Sequence, residues 1–329
     1  MEVGSGQSSL ADFGPLFDSV AAEMGRALRG QEDAVRLALA AVFAGGHVLV
    51  EGLPGVGKTL LARSLAASLG CRFRRIQFTP DLMPADVTGG NIYNQKANAF
   101  EFVAGPVFTE VLLADEINRT PARTQAALLE AMADRQVTTD GATRALSRPF
   151  FTIATQNPVE SEGTWPLPEA QLDRFMLKVV MAPPPREVEV EILEAHLKGF
   201  DVADLDRVGL VARLDAEGVT RWQDMVRTVR CAPAVVTWIA EIVARTREHR
   251  AVYLGASPRA SIALLRGAQV LAAAEGRDFV IPDDVKELLG PALRHRLVLH
   301  PEAQLDGVAV EDVVKEIAAS TPTPSETRA

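Results

Sequence analysis

Hydrophobic residues in the first half of the chain form short runs that alternate with stretches of helical spacing. The runs cover residues 47–50, 72–78, 111–114, 150–155 and 175–181. Uninterrupted apolar runs of this length are typical of parallel strands that are covered on both faces. Because helical patterns separate the runs, the sequence predicts an α/β fold in which a parallel sheet lies between two layers of helices.

The helical stretches of this half also carry signals for where helices begin. Helical spacing covers residues 13–42, 59–69 and 121–133. Threonine is favoured at the N-cap of a helix and proline at its first helical position. We therefore expect the third helix to begin with Thr120 as its N-cap and Pro121 as its first residue.

Three consecutive prolines, at residues 183–185, separate this half from the rest of the chain. Three prolines cannot continue a strand or a helix, so a domain boundary is expected there. Beyond them the apolar spacing is helical, which predicts an α/β core over residues 12–182 and an all-α domain over residues 183–318. The polar end segments are predicted to be mobile over residues 1–11 and disordered over residues 319–329.

Charge and cysteine content exclude several classes of protein. Lys and Arg number 34 against 43 Asp and Glu, and the net charge of -9 argues against a surface that binds nucleic acid throughout. A basic stretch at residues 72–75 fits a local nucleic-acid contact or, as we expect, an exposed edge strand. Two cysteines, no long apolar run and no basic, apolar leader predict a cytoplasmic protein without a membrane span.

Residues 52–59, GLPGVGKT, match the phosphate-binding pattern GxxxxGK[ST] between a predicted strand and a predicted helix. Glycines let backbone amides approach phosphates closely, and the start of the helix presents its positive end to an anion. Lys58 would neutralise phosphate charge, and the Thr59 hydroxyl would bind Mg²⁺. A chance match in a glycine-rich turn is the alternative. The predicted nucleotide contacts are Gly52, Pro54, Gly55, Val56, Gly57, Lys58, Thr59 and Leu60.

Two acidic residues, Asp115 and Glu116, follow the apolar run at residues 111–114. A carboxylate at the end of a central strand can hold Mg²⁺, which is the role predicted for Asp115. Glu116 could then polarise the attacking water. Alone, the two acids would fit a solvated pair at a strand end, but a neighbouring phosphate loop favours the catalytic interpretation. ATP and Mg²⁺ are therefore the predicted cofactors.

Five segments, GLPGVGKT, LLADEINR, ATQNP, LPEAQLDRF and ASPRA, resemble the motifs of the MoxR family of AAA+ ATPases. The resemblance extends over about residues 30–299. Residues 78–107 resemble the helix-2 insert of this clade, and residues 134–149 resemble its pre-sensor-1 β-hairpin, with Asp140-Gly141 as the turn. The resemblance implies a P-loop AAA+ core, a helical lid, and a hexameric homo-oligomer that holds ATP between its subunits.

The resemblance also implies roles for residues outside the two motifs. Asn157 is similar to the sensor-1 residue, which helps Glu116 to position water. Arg174 resembles the arginine finger, which a neighbouring subunit supplies, and Arg259 resembles sensor 2, which could serve its own site or its neighbour's. Gln31 lies where AAA+ proteins often contact adenine. The alternatives are a structural salt bridge for Arg174, a surface position for Arg259 and core packing for Gln31.

The family resemblance implies Mg²⁺-dependent ATP hydrolysis that drives chaperone-like remodelling, assembly or metal-cofactor insertion of client proteins. A protein with a von Willebrand factor type A domain is the implied partner. The motor subunit of a metal chelatase or of a cofactor-activating complex remains an alternative, because the ATP site would be shared. A nucleic-acid remodelling motor is disfavoured, since the insert carries Lys96 against Asp86 and Glu101. A regulatory module that binds ATP without turnover is disfavoured by Glu116 and Arg174.

Overall fold

The computed structural model describes residues 9–158, 163–201 and 208–324. In chain order, the strands are β1 (Val48–Gly52), β2 (Phe73–Gln77), β3 (Gly89–Asn94), β4 (Ala99–Ala104), β5 (Val111–Asp115), β6 (Gln136–Thr139), β7 (Ala142–Ala145), β8 (Phe151–Gln156), β9 (Leu177–Met181), β10 (Val252–Leu254) and β11 (Val298–Leu299). The α-helices are α1 (Phe13–Ala27), α2 (Glu32–Ala44), α3 (Lys58–Ser68), α4 (Pro84–Thr88), α5 (Ala122–Asp134), α6 (Glu169–Leu172), α7 (Arg186–Leu197), α8 (Ala216–Val226), α9 (Pro233–Glu248), α10 (Pro258–Ala274), α11 (Pro282–Leu293), α12 (Pro301–Leu305) and α13 (Val310–Ser320).

A five-stranded parallel sheet lies at the centre of the first domain, in the order β2-β5-β8-β1-β9. Its strands correspond to the five apolar runs. On one face, Val50 and Ile153 belong to a core shared with α1, α2, α3 and the second domain. On the other face, Leu49 and Ala154 belong to a core shared with α5. The predicted α/β sandwich is confirmed, and burial of both faces explains the uninterrupted runs.

The position of β8 determines which residues meet at the edge of the sheet. It lies between β1 and β5, although it follows both along the chain. Ala154 of β8 is in register with Leu49 on one side and Ala114 on the other. Because the strands are parallel, the residues that end β1, β5 and β8 lie side by side at one edge.

Two antiparallel hairpins, β3–β4 and β6–β7, occupy the segments that resemble the helix-2 insert and the pre-sensor-1 hairpin. Asp140 and Gly141 form the β6–β7 turn with φ angles of 51° and 76°, as Asp-Gly does in a type I′ turn. Asn91 Nδ2 donates to Asp140 Oδ2 over 2.7 Å. The Arg144 guanidinium lies 3.7 Å from the centroid of the Phe102 ring. The two hairpins therefore contact each other.

The second domain is helical, as predicted, and α10 packs against both α11 and the α2 helix of the first domain. Arg36 of α2 donates from Nε to Glu287 Oε1 of α11 over 2.7 Å. A short antiparallel ribbon of β10 and β11 is an addition to the predicted all-α domain. Among the described residues, none of the helices combines the length and the apolar composition needed to cross a membrane.

The start of α5 differs from the sequence prediction. The helix begins at Ala122, and Pro121 rather than Thr120 is at the N-cap position. The Thr120 hydroxyl donates instead to the carbonyl oxygen of Thr79 over 2.7 Å. The threonine therefore ties the helix start to the loop after β2, which propensity alone could not reveal.

The ends of the described chain are more regular than the composition indicated. Residues 10–12 form a short 3₁₀ helix directly before α1. At the other end α13 continues to Ser320, and Thr321 is only 2% exposed. Thus the predicted disordered tail does not begin at residue 319, because an apolar face of α13 packs against the core. The predictions for residues 1–8 and 325–329 concern chain outside the described residues.

Candidate functional site

The loop between β1 and α3 has a backbone that suits a closely bound anion. Gly55 and Gly57 have φ angles of 86° and 98°, a region that other L residues rarely adopt. The space beside Gly55 is open, whereas a Cβ at Gly57 would lie 2.7 Å from Leu28 Cδ1. Helix α3 begins directly afterwards at Lys58, so its first amides and its positive end lie at the loop.

The ammonium group of Lys58 folds back over this loop. Its Nζ donates to the carbonyl oxygens of Gly52 and Leu53, the second over 3.2 Å. Burial lowers the pKa of Lys58, and the negative charges of Asp115 and Glu116 oppose that shift. A phosphate would offer the ammonium group a stronger, charge-assisted partner than either carbonyl.

Asp115 ends the central strand β5 and is only 7% exposed. The Thr155 hydroxyl donates to Asp115 Oδ1 over 2.6 Å. On the other carboxylate oxygen, Arg75 Nη2 donates over 2.7 Å. The Asp115 carboxylate is thus oriented by a buried hydroxyl and balanced by a guanidinium from the edge strand β2.

Glu116 follows in a left-handed conformation, with φ of 56°. Its backbone amide donates to Thr155 Oγ1 over 2.9 Å, so this single hydroxyl binds both acids. Gln77 Nε2 donates to Glu116 Oε2 over 2.7 Å, and Arg119 Nε lies 3.3 Å from the same oxygen. The strained backbone and these contacts fix the carboxylate beside the loop.

A cavity of about 440 Å³ lies over the loop, between the two domains, within the usual range for ligand sites. Its lining contains nearly all of the predicted contacts: Gln31, Pro54, Gly55, Val56, Gly57, Lys58, Thr59, Leu60, Asp115, Glu116 and Asn157. Gly52 lies beneath the loop, where its carbonyl binds Lys58. As far as the described residues define the lining, Arg174 and Arg259 are not part of it.

Several cavity residues were missed by sequence analysis. They lie at the α1–α2 junction, on α7 and just after that helix: Leu28, Ile192, Ala195, His196 and Phe200. The rings of His196 and Phe200 meet edge to face, with centroids 5.3 Å apart. The spacing of these residues along α7 is helical, but it does not distinguish a cavity wall from a packing face. Only the fold shows which surface this helix covers.

Gln31 has a structural contact as well as a position in the cavity wall. It is 8% exposed, and its Nε2 donates to the carbonyl oxygen of Ala182 over 2.7 Å. This bond ties the start of α2 to the end of β9, so a contact from this side chain to a base would use its remaining polar groups.

The two arginines that resemble the arginine finger and sensor 2 lie outside the cavity lining, as far as the described residues define it. Arg174 Nη1 donates to the carbonyl oxygen of Leu129 in α5 over 2.7 Å. Arg259 is about half exposed, and its Nε lies 4.0 Å from Asp173 Oδ2. Both arginines therefore have contacts within the chain, and neither lines the cavity, as far as the described residues define it.

The site offers oxygen donors for Mg²⁺ without forming a complete metal site. Among the described residues, no group of three or more His, Cys, Asp or Glu side chains could hold a metal ion. Mg²⁺ commonly binds one or two protein oxygens together with substrate phosphates. Thr59 and Asp115 both line the cavity and supply oxygens of this kind. The residues therefore fit Mg²⁺ that arrives with a nucleotide.

Comparison with known proteins agrees with this geometry. Residues 47–177 match the model of the ATPase family associated with various cellular activities (AAA), and residues 244–317 match an AAA lid domain. The chain is 40% identical over 311 residues to the Chaperone MoxR1 of Mycobacterium tuberculosis, covering 92% of this chain and 81% of that protein. The chain belongs to the MoxR family of AAA+ ATPases. The predicted family is confirmed.

Other relatives extend the agreement over nearly the whole of this MoxR-family chain. It is 48% identical to the uncharacterized protein YeaC of Bacillus subtilis, covering 95% of this chain and 96% of that protein. A crystal structure of a protein assigned as an ATPase, from Cytophaga hutchinsonii, is 37% identical with a TM-score of 0.88. That likeness covers 96% of this chain and 97% of the other. The AAA+ core and the helical lid are therefore both shared.

Proposed function

We propose that this protein hydrolyses ATP with Mg²⁺, as part of a ring, and uses the reaction to remodel client proteins as a chaperone does. The observation that carries the proposal is the meeting of Lys58, Thr59, Asp115, Glu116 and Asn157 at one cavity. These groups supply the charge neutralisation, metal ligands and water-orienting groups that phosphoryl transfer needs. Membership of the MoxR family supports the same activity.

The loop, the start of α3 and the end of β5 divide phosphate binding and metal binding between them. Lys58 and the loop amides bind the phosphates, while Thr59 and Asp115 hold the metal ion. Bound Mg²⁺ stabilises the negative charge that moves onto the leaving phosphate. Arg75 Nη2, which donates to Asp115 Oδ2 over 2.7 Å, would be a second positive charge on the carboxylate that would hold the ion.

Glu116 and Asn157 orient the attacking water. Asn157 follows β8 and is 6% exposed, and Glu116 follows β5, the strand next to β8. The Glu116 amide donates to Thr155, and Gln77 donates to the Glu116 carboxylate. These bonds hold Glu116 at this edge, so its carboxylate accepts a proton from water without a large rearrangement. Loss of this base should affect turnover much more than binding.

The apolar end of the cavity suits the nucleotide base. Leu28, Ile192, His196 and Phe200 line it, and two of them carry aromatic rings that can stack or meet a purine edge. Helix α7 has no buried residue in the free chain, as far as its described residues show. A bound base would cover part of its surface and so link the nucleotide to the lid.

Arg174 completes the site from a neighbouring subunit. A guanidinium that reaches the γ-phosphate stabilises transition-state charge, and supply in trans makes hydrolysis depend on assembly. The position of Arg174 outside its own cavity supports this arrangement. We further propose a hexamer that acts with a von Willebrand factor type A domain protein in client assembly or metal-cofactor insertion. The relative named Chaperone MoxR1 supports the chaperone role.

Mixed subunits test the proposal directly. Arg174→Ala subunits bind ATP but lack the finger, and Lys58→Ala subunits keep the finger but lose the nucleotide. Each variant alone should release little phosphate. A mixture should recover activity, because a Lys58→Ala subunit can present Arg174 to an intact phosphate site. Wild-type protein that releases no phosphate with ATP and Mg²⁺ would refute hydrolysis, whereas active wild type with no recovery in mixtures would refute the trans finger.

A further inference from the structure

Three side chains of the lid converge on one carboxylate of the core, that of Asp173. Arg296 Nε donates to its Oδ1 over 2.8 Å, and the Ser257 hydroxyl donates to its Oδ2 over 2.8 Å. Arg259 Nε lies 4.0 Å from the same Oδ2. Asp173 directly precedes Arg174 in the chain. The residue beside the proposed finger is thus held by the lid of its own subunit.

Arg296 is the strongest of these links. Its side chain is only 3% exposed, and it also donates to the carbonyl oxygens of Asp173, Phe175 and Met176 over 3.2, 2.6 and 3.0 Å. Desolvation lowers the pKa of Arg296, and its hydrogen bond to Asp173 opposes that shift. The Arg296 guanidinium therefore donates to three backbone carbonyl oxygens in the segment at residues 173–176, which includes Arg174.

The neighbouring residues strengthen the same junction. The His295 ring lies 3.0 Å, through Nε2, from the carbonyl oxygen of Phe175. Ser257 is the N-cap of α10, and its Oγ accepts from the Arg259 amide over 3.1 Å while donating to Asp173. The start of α10 and the residues just after α11 are therefore both bound to the segment at residues 173–176.

Arg174 itself is held from the opposite side, because its Nη1 donates to the carbonyl oxygen of Leu129 in the core helix α5. The carboxylate of its neighbour Asp173 is bound by the lid, whereas its own guanidinium is bound by the core. The direction in which the guanidinium leaves the surface therefore depends on how the lid sits on the core. A small displacement of this kind is enough to change a catalytic contact, because reaction rates fall steeply with misplacement.

We infer that Asp173 is a positioning residue that couples the lid of one subunit to the arginine finger it presents to the next. This inference rests on the proposed trans role of Arg174. Lid movement at one ATP site is transmitted through Ser257 and Arg296 to Asp173, and so to the neighbouring site. The link gives the ring a route by which nucleotide state in one subunit sets the hydrolysis rate in another.

The charge-removing variant Asp173→Asn gives the first test. It keeps the shape of the side chain, and ATP binding at its own site should be unchanged within about twofold. We expect kcat to fall roughly ten- to a hundredfold, since the finger is misplaced rather than lost. In an Arg174→Ala background the same substitution should cause no further loss of kcat. If Asp173→Asn lowers kcat by the same factor in the Arg174→Ala background as in the wild type, the inference is overturned, because Asp173 then acts independently of the finger.

Mixed rings distinguish positioning in trans from simple destabilisation. Asp173→Asn subunits should recover activity when mixed with Lys58→Ala subunits, which present an intact finger. Failure to recover, under conditions in which Arg174→Ala subunits do recover, would refute the coupling while leaving the trans finger intact. Failure of both mixtures would instead refute the trans finger on which the inference rests.

Ser257→Ala removes one lid contact to Asp173 and leaves the Arg296–Asp173 pair intact. It can therefore replace Asp173→Asn in the same assays if that variant does not fold. Its matched control is Asp215→Ala, which removes the N-cap of α8 in the same domain, where Asp215 Oδ1 accepts from the Gly218 amide over 2.6 Å. Both variants lose a cap, but only Ser257→Ala loses a link to Asp173. Equal kcat values for the two would overturn the inference; a selective loss in Ser257→Ala, absent in the Arg174→Ala background, would support it.

Discussion

Thr155 connects the stability of the core to the geometry of both acids, and Thr155→Val isolates that connection. Valine has nearly the same shape but lacks the hydroxyl that donates to Asp115 Oδ1 and accepts from the Glu116 amide. The side chain is fully buried in β8, so water cannot readily replace it. The substitution thus removes two hydrogen bonds without creating a large cavity.

The expected cost comes from these two bonds. A hydrogen bond to a charged group contributes about 1.5–3 kcal/mol, and a buried amide left without a partner costs about 1–3 kcal/mol. Together they predict that Thr155→Val lowers the free energy of unfolding by roughly 2.5–6 kcal/mol. Because Glu116 has a left-handed backbone, loss of its amide contact should also shift the carboxylate and lower kcat.

Thr152→Val is the matched control on the same strand. Thr152 is equally buried, but within the described part of the chain its hydroxyl has no hydrogen-bond partner. The same substitution there removes an unsatisfied polar atom, and stability should stay the same or rise by about 1 kcal/mol. Urea unfolding, followed by tryptophan fluorescence, measures both variants, and phosphate release reports turnover. Equal losses of stability in the two variants would refute the role assigned to Thr155.

Three further predictions concern the proposed catalytic base Glu116, the pH dependence of the free energy of unfolding at His47, and the cavity wall at His196. Glu116→Gln should bind ATP normally but hydrolyse it about 10²–10⁴-fold more slowly; rapid turnover measured by phosphate release would exclude Glu116 as the base. Burial lowers the pKa of His47 to about 4, below its unfolded value of about 6.5. The stability that neutral His47 contributes is therefore complete above pH 6.5 and is lost as the pH falls towards 4, by about 3 kcal/mol in total. The urea midpoint of unfolding should fall between pH 7 and pH 4, and it should fall less in His47→Gln than in the wild type. The same dependence on pH in both proteins would contradict the lowered pKa of His47. His196→Ala should weaken ATP binding by about two- to tenfold in calorimetry. Leu197→Ala, on the exposed side of α7, should leave ATP binding unchanged. Equal effects of the two substitutions would place the nucleotide base elsewhere.

The strands of the sheet could be predicted because a strand buried on both faces has an uninterrupted run of apolar residues in the sequence. Each apolar run is long enough to specify a strand, and the loop motif specifies the turn and the helix after β1. The order of the strands could not be predicted in this way, since an apolar run does not specify which neighbouring strand it pairs with. Yet it is the insertion of β8 between β1 and β5 that places Asn157 beside the phosphate loop.

The residues that carry a fixed motif were accessible to sequence analysis, and those that act through partners were not. Lys58 and Asp115 stand at set distances from a strand, so their positions can be read from the motif. Thr155 resembles any threonine in a buried strand until its hydroxyl is seen between two acids. His196 and Phe200 become part of a site only because α7 folds over the α1–α2 junction.

The basic stretch at residues 72–75 shows how partners decide the meaning of a charge pattern. Arg72 pairs with Glu110 through Nε over 2.8 Å, and this pairing raises the pKa of Arg72. Arg74 donates to the carbonyl oxygen of Gly105 over 3.2 Å, and Arg75 binds Asp115. All three guanidiniums are thus engaged within the chain, two of them with carboxylates. A phosphate backbone would have to compete with these contacts, and the competition at Arg75 would disturb the proposed magnesium ligand. The pattern that alone allowed a nucleic-acid contact therefore favours an edge strand, one of whose arginines binds the proposed magnesium ligand Asp115.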